Sequence, residues 1–238
     1  MPAESHHSVI VALDFPTGAQ ALELVRRLGP AATAYKVGLQ LLTAEGPAVI
    51  RDLVKQGKKV FLDLKLHEIP NSVAGAVAAA GVLGASWVTV HASAGATVLR
   101  AAVEAAQPFP DLKILALTVI TSMRQEDLNE VGVDGSVLAQ VERLAALAAT
   151  AGCAGIVASA QEASHLRELL PAGMQIVTPG IQLVAEAARD QRRVSTPADA
   201  VRSGATHLVI GRSIARAEDP QAALSAVERE IDLALNRH

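Results

Sequence analysis

Eight short runs rich in aliphatic residues recur along this chain, and each is followed by a segment with helical spacing. The runs are residues 9–15, 33–38, 59–65, 87–92, 113–120, 155–160, 175–181 and 207–213. Such alternation predicts a parallel sheet covered by helices, and eight units in 238 residues favour a closed (β/α)₈ TIM barrel over an open doubly wound sheet. No linker or shift in composition divides the chain, so we expect a single domain over residues 1–238.

Composition suits such a core and excludes several classes of partner. Half of the residues are hydrophobic but only 2% are aromatic, so the core must consist of Val, Leu, Ile and Ala. The formal net charge of −3 predicts neither a nucleic-acid surface nor binding to an anionic membrane. Cys153 is the one cysteine, which fits a reducing compartment. No signal peptide or membrane span is visible, and we expect a cytoplasmic protein.

Polar residues follow nearly every predicted strand. In a barrel, these strand ends converge on one mouth, where such folds place their chemistry. The residues concerned are Asp14, Lys36, Asp63, Lys65, His91, Thr121, Ser159, the turn 179–182, Gly211 and Arg212. Two long connections, 121–135 and 183–197, also leave this end, and loops of that length commonly bind or cover a ligand.

The stretch VFLDLKLHEIPNSV (60–73) carries the strongest chemical signal. Residues at i and i+2 of a strand point the same way, so Asp63 and Lys65 are predicted to face the barrel interior while Leu62 and Leu64 face the helices. An ion pair that merely fills the barrel is the alternative, but leucines would often be as stable there. The pair at the mouth therefore indicates a functional site.

Lys36, on the neighbouring strand, extends this pair to Lys–Asp–Lys. The carboxylate between two amines favours their protonated forms. A protonated lysine held against a substrate carbon can donate a proton, and an adjacent carboxylate would repel a negative substrate group. This combination suits loss of CO₂ followed by protonation of the carbon left behind.

A second cluster, after strands seven and eight, predicts a phosphate site. Gly211 allows a ligand close to the backbone, and Arg212 offers a forked donor. The loop after strand seven adds Gln182 and Gln191, and barrels of this type often bind phosphate with these two loops. Asp14 is interpreted either as a ligand for ribose hydroxyls or as the cap of the next helix. Thr121 either contacts a base edge or makes a turn.

The motif DLKLHEIPNSV resembles the D-x-K-x-x-D-I-P-x-T signature of the orotidine 5′-monophosphate (OMP) decarboxylase family. The resemblance extends over nearly the whole chain. Further matching segments are VALDF (11–15), YKVG (35–38), TVITSM (118–123), TPGI (178–181), 190–214 and AEDP (217–220). The resemblance implies a cofactor-free enzyme without a metal that converts OMP to UMP and CO₂ in pyrimidine biosynthesis. It also implies a homodimer with shared active sites.

The resemblance further implies a role for each matching residue. Lys65 would protonate C6 of the pyrimidine, Asp63 would lie against the departing carboxylate, and Lys36 would bridge Asp63 and the ribose. Glu68 and Ser72 occupy the positions of the family's second aspartate and its threonine, and the acidic residue would reach the neighbouring subunit's site. The other predicted substrate contacts are Asp14 and Thr121 at the ribose and base, and Gln182, Gln191, Gly211 and Arg212 at the phosphate.

Two departures from the family pattern stand out. Glu68 is one methylene longer than the usual aspartate, and we expect it to replace that residue functionally. Gln182 stands where the bacterial pattern has arginine and brings no charge; Arg189 or Arg192 is a candidate to compensate. Two rival functions fit the same fold: a Mg²⁺-dependent sugar-phosphate decarboxylase or aldolase, against which Lys36 argues, and a catalytically silent phosphate-binding barrel.

Overall fold

The computed structural model describes residues 8–183 and 195–236. Its sheet is a closed parallel barrel in which each strand pairs with the next in sequence and β8 returns to β1. The strands are β1 Ser8–Ala12, β2 Ala34–Gly38, β3 Lys59–Leu66, β4 Trp87–His91, β5 Lys113–Leu117, β6 Gly155–Val157, β7 Gln175–Thr178 and β8 His207–Ile210. The predicted (β/α)₈ barrel is confirmed, and an open sheet is excluded. Most strands end earlier than predicted, so that Asp14, Ser159 and Arg212 follow a strand and do not lie within it.

Helices cover the outside of the barrel. They are Gly18–Leu28, Leu39–Glu45, Ala48–Lys55, Pro70–Val82, Ala96–Ala106, Gln125–Glu130, Val137–Thr150, Ala160–Leu169, Pro197–Arg202, Arg212–Ala215 and Pro220–Leu235, with a short 3₁₀ helix at Ala92–Ala94. Local chemistry sets several of their starts: Thr17 and Ser136 accept hydrogen bonds from the first-turn amides of their helices, and Pro70 occupies the first turn of its helix. None of the described helices is long and apolar enough to cross a bilayer.

The core has two parts because alternate residues of each strand face opposite ways. The larger part lies between strands and helices and includes Leu62, with Leu64 and Leu66 packed against it. The smaller part fills the barrel interior with ten residues: Ile10, Ala12, Ala34, Phe61, Trp87, Leu115, Leu117, Val157, Val177 and Val209. The predicted outward direction of Leu62 and Leu64 therefore agrees with the packing.

Trp87 closes the barrel at the end opposite the mouth. Its Nε1 donates to Gln175 Oε1 at 3.0 Å, and its ring meets His207 edge-on at 5.6 Å. Gly155 makes room for this layer, because a Cβ there would lie 2.7 Å from the Gln175 carbonyl oxygen. In the described part of the chain, this layer and the apolar residues above it occupy the barrel interior below the mouth.

Cys153 is buried and chemically inert. Burial raises the pKa of its thiol to about 12, so the thiolate needed for nucleophilic chemistry does not form near neutral pH. Cys153 therefore serves as a small core residue.

Candidate active site

A cavity of about 270 Å³ lies at the mouth, directly above the interior core. Its floor is apolar, with Phe61 and Leu117 among the residues that form it. Its wall contains most of the residues singled out from the sequence: Asp14, Lys36, Asp63, Lys65, Thr121, Gln182, Gly211 and Arg212. An apolar floor beneath a charged wall suits a ligand that has both an apolar part and charged groups.

Four charged side chains form a continuous chain of ion pairs across the mouth. Lys36 Nζ lies 2.8 Å from Asp14 Oδ1 and 3.7 Å from Asp63 Oδ2, and Lys65 Nζ lies 2.8 Å from the same Asp63 oxygen. The side chains of Lys36 and Asp63 are only 12% and 14% exposed, whereas Asp14 is 59% exposed. The predicted Lys–Asp–Lys group is therefore assembled, and Asp14 extends it by one carboxylate.

The interpretation of Asp14 as a helix cap does not agree with the structure. Thr17 caps the helix Gly18–Leu28, while the Asp14 carboxylate accepts a hydrogen bond from Lys36. Gly38 leaves the space that this contact needs, since a Cβ at that position would lie 3.2 Å from Lys36 Nζ. Asp14 thus orients Lys36 and presents its own exposed edge to the cavity.

Lys65 reaches the cavity from an irregular point of β3 and not from a regular strand. Its φ of 51° is left-handed, a conformation that costs an L-residue about 1–2 kcal/mol. It is the only non-glycine residue with positive φ in the described part of the chain. The pairing of β3 with β4 shifts here: Leu62 pairs with Val88, and Leu66 with Val90. Backbone strain of this kind often accompanies a functional group held in one place.

Thr89 was not identified from the sequence, although it contacts both members of the central pair. Its Oγ1 accepts a hydrogen bond from the Lys65 backbone N–H at 2.9 Å and lies 3.1 Å from Asp63 Oδ1. The one available signal was its position in WVTVH, where alternation turns it inward beside β3. That signal is weak, because the contact depends on the shifted register of the two strands.

His91 and His67 form a stacked pair behind Lys65, with ring centroids 5.3 Å apart. Burial lowers the pKa of His91, and the nearby His67 and Lys65 lower it further. The hydroxyl of Ser93 lies 2.7 Å from His91 Nδ1. His91 is not among the residues that line the cavity, and its hydrogen bond and lowered pKa indicate a structural role.

Glu68 and Ser72 stand apart from the cavity of this chain. Glu68 is fully exposed, and hydrogen bonds from the Ile69 N–H and the Ser72 hydroxyl lower the pKa of its carboxyl. Neither residue is among those that line the cavity. The catalytic role of Glu68 in a neighbouring subunit's site and the role of Ser72 as a substrate contact remain predictions.

The predicted phosphate residues meet at one side of the mouth. Gly211, Arg212 and the buried Gln182 all line the cavity. The Gln182 N–H donates to the Ser195 carbonyl at 3.2 Å, which ties the two ends of the loop after β7 together. Gln191, Arg189 and Arg192 lie outside the described residues. Within the described residues, no cluster of three or more His, Cys, Asp or Glu side chains could hold a metal ion.

The fold and the cavity define a barrel enzyme whose mouth holds alternating lysines and aspartates beside an arginine. A family model described as "Orotidine 5'-phosphate decarboxylase / HUMPS family" matches residues 7–227. The chain therefore belongs to this family, as its motifs predicted. The predicted enzyme class, orotidine-5′-phosphate decarboxylase among the carboxy-lyases, is confirmed.

Individual relatives agree with the family assignment. The orotidine 5′-phosphate decarboxylase of Alkalilimnicola ehrlichii is 50% identical over 95% of this chain and 97% of its own length. That of Chromohalobacter salexigens is 49% identical over 94% and 95%. Among solved structures, orotidine 5′-phosphate decarboxylase from Lactobacillus acidophilus is 34% identical with a TM-score of 0.85, covering 95% of this chain and 99% of the other.

Proposed function

We propose that this chain converts OMP to UMP and CO₂, with Lys65 as the proton donor to C6 of the pyrimidine. The observation that carries the proposal is the position of Lys65 Nζ, which lies in the cavity wall 2.8 Å from Asp63. The C6–carboxylate bond breaks, its electron pair stays on C6, and CO₂ leaves. The Lys65 ammonium then transfers a proton to C6, and the resulting amine regains a proton from water.

The residues of the cavity supply the stabilisation that this carbanion needs. A preorganised ammonium lowers the energy of the charge that develops at C6, because little reorganisation is required at the moment of reaction. Asp63 holds that ammonium in place through Oδ2, and Lys36 supports the same oxygen from the other side. Repulsion between Asp63 and the substrate carboxylate is a second, smaller contribution.

The remaining charges in the wall suit a nucleotide. Lys36, Lys65 and Arg212 against Asp14 and Asp63 leave one net positive charge among the five groups, which favours an anionic ligand. Arg212, Gln182, Gln191 and Gly211 would bind the phosphate, Asp14 and Lys36 the ribose, and Thr121 the ribose and base. Phosphate binding away from C6 would align the base over the apolar floor.

The proposal includes a homodimer in which Glu68 and Ser72 serve the site of the partner subunit. Two features of the single chain support this. Glu68 is turned away from its own cavity, and the adjacent Ile69 side chain is 61% exposed. An exposed isoleucine beside a charged residue fits a subunit contact better than open solvent. We further propose a cytoplasmic enzyme with one catalytic domain over residues 1–238 that uses no metal or cofactor.

The first test follows loss of the ultraviolet absorbance of OMP with the purified protein, with and without EDTA. Lys65→Ala should lower kcat by at least about 10⁴-fold, since it removes both proton transfer and charge stabilisation. Its affinity for UMP should stay unchanged, because the phosphate residues remain. Lys55→Ala, at an exposed lysine that ends the helix Ala48–Lys55, is the matched control and should retain full activity.

Retained turnover in Lys65→Ala would remove Lys65 from its role. Activity that EDTA abolishes would favour the Mg²⁺-dependent alternative. A wild-type protein that binds UMP but never consumes OMP would identify a silent barrel.

A further inference from the structure

The strand pairing beside Lys65 leaves three residues opposite one. Between the pairs Leu62–Val88 and Leu66–Val90, β3 contains residues 63–65 and β4 contains only Thr89. A surplus of two residues in one strand interrupts the regular ladder and bends that strand. Lys65 accommodates the bend with its left-handed φ of 51°. The catalytic pair therefore lies within the irregular segment, and Thr89 is the single β4 residue that faces it.

The Thr89 hydroxyl replaces the missing ladder contact. It accepts from the Lys65 backbone N–H at 2.9 Å, and it can donate to Asp63 Oδ1 at 3.1 Å or to the Leu62 carbonyl at 3.5 Å. A hydroxyl has one proton to give, and the closer, charged carboxylate is the stronger acceptor. Thr89 is fully buried, so water does not compete for either bond.

Thr89 therefore determines how Asp63 uses its two oxygens. With Oδ1 held by the Thr89 hydroxyl, Oδ2 is turned toward the ammonium groups of Lys65 at 2.8 Å and Lys36 at 3.7 Å. The same hydroxyl anchors the backbone from which the Lys65 side chain extends. Thr89 itself is not among the residues that line the cavity, so a bound nucleotide would not touch it.

We propose that Thr89 is a positioning residue for decarboxylation, whose hydroxyl holds the strained Lys65 backbone and the Asp63 carboxylate in one arrangement. This inference rests on the proposed function, because it assigns Thr89 an effect that passes through Lys65. The Thr89 hydroxyl therefore affects the chemical step and not the binding of the nucleotide.

The decisive comparison is between Thr89→Ser and Thr89→Ala, which lack the same methyl group and differ only in the hydroxyl. Thr89→Ala should lower kcat for OMP by about 10- to 100-fold, the loss expected from a hydrogen bond to a charged group. Thr89→Ser should retain most of the wild-type kcat. Both variants should bind UMP with wild-type affinity, measured by calorimetry, which a general loss of structure would not allow.

Thr89→Val, close in shape to threonine, gives a second measurement. The Lys65 amide should exchange with deuterium faster in this variant than in wild type, because it has lost its acceptor. Thr118→Val is the matched control. Thr118 is another fully buried threonine, whose hydroxyl donates to the Val157 carbonyl at 3.0 Å, and its loss should leave kcat unchanged.

Equal kcat values in the serine and alanine variants would overturn the inference, as would a Thr89→Ala variant that binds UMP more weakly but keeps the wild-type kcat. The proposed function can fail separately. If Lys65→Ala retains turnover, the role of Lys65 is wrong, whereas an inactive Lys65→Ala beside a fully active Thr89→Ala refutes only the role of Thr89.

Discussion

Replacing Asp63 with asparagine tests the charge arrangement at the centre of the mouth. The substitution keeps the shape of the side chain but removes the carboxylate that three groups share. Thr89 contacts Oδ1 at 3.1 Å, and Lys65 and Lys36 lie 2.8 Å and 3.7 Å from Oδ2. An amide nitrogen turned toward the two ammonium groups would offer them a donor, so Lys65 would lose its anchor.

The size of the effect follows from the closest of these contacts. A hydrogen bond to a charged group contributes about 1.5–3 kcal/mol, and each 1.36 kcal/mol is about tenfold in rate. The Lys65 side chain is 34% exposed, so solvent screens part of the interaction and the lower end applies. We expect kcat for Asp63→Asn to fall by about 10- to 30-fold.

The affinity of Asp63→Asn for OMP should rise although its kcat falls. If Asp63 repels the OMP carboxylate, its neutral replacement should bind OMP more tightly, while UMP, which lacks that carboxylate, should bind as before. The decrease in OMP absorbance gives kcat and KM, and KM approaches the dissociation constant as chemistry becomes slow. Calorimetry gives the UMP affinity. Asp52→Asn, an exposed aspartate of the helix Ala48–Lys55, is the control.

An unchanged kcat would refute the anchoring of Lys65 by Asp63. A lower kcat with unchanged OMP affinity would retain the anchoring but eliminate the repulsion.

Two further predictions concern the phosphate end of the substrate and the proposed dimer. Arg212→Ala should lower kcat/KM for OMP by about 10- to 100-fold, chiefly through KM, because it removes a charged donor to the phosphate; an unchanged kcat/KM would refute the phosphate assignment. Mixing equal amounts of inactive Lys65→Ala and inactive Glu68→Ala should restore about a quarter of wild-type activity. Random exchange makes about half of the dimers mixed, and each mixed dimer of a two-fold assembly regains one of its two sites. If no activity returns although subunits exchange, Glu68 does not serve the partner's site.

Much of the architecture could be predicted because it depends on periodicity. Aliphatic runs that alternate with helical segments specify a parallel sheet, and eight of them specify closure. The same reasoning located the site: parallel strands bring their carboxyl ends together, so Lys36, Asp63 and Arg212 had to share one mouth. The direction of Leu62 and Leu64 followed from the two-residue repeat of a strand.

Only the tertiary structure decided how the charged groups engage one another. The sequence allowed Asp14 to cap a helix, but the geometry of the barrel places its carboxylate 2.8 Å from Lys36. The left-handed backbone of Lys65 and its bond to Thr89 depend on a shift in pairing between β3 and β4. Periodicity within one strand determines which side a residue faces. It does not determine the register against the next strand, which is set by how both strands pack in the closed barrel.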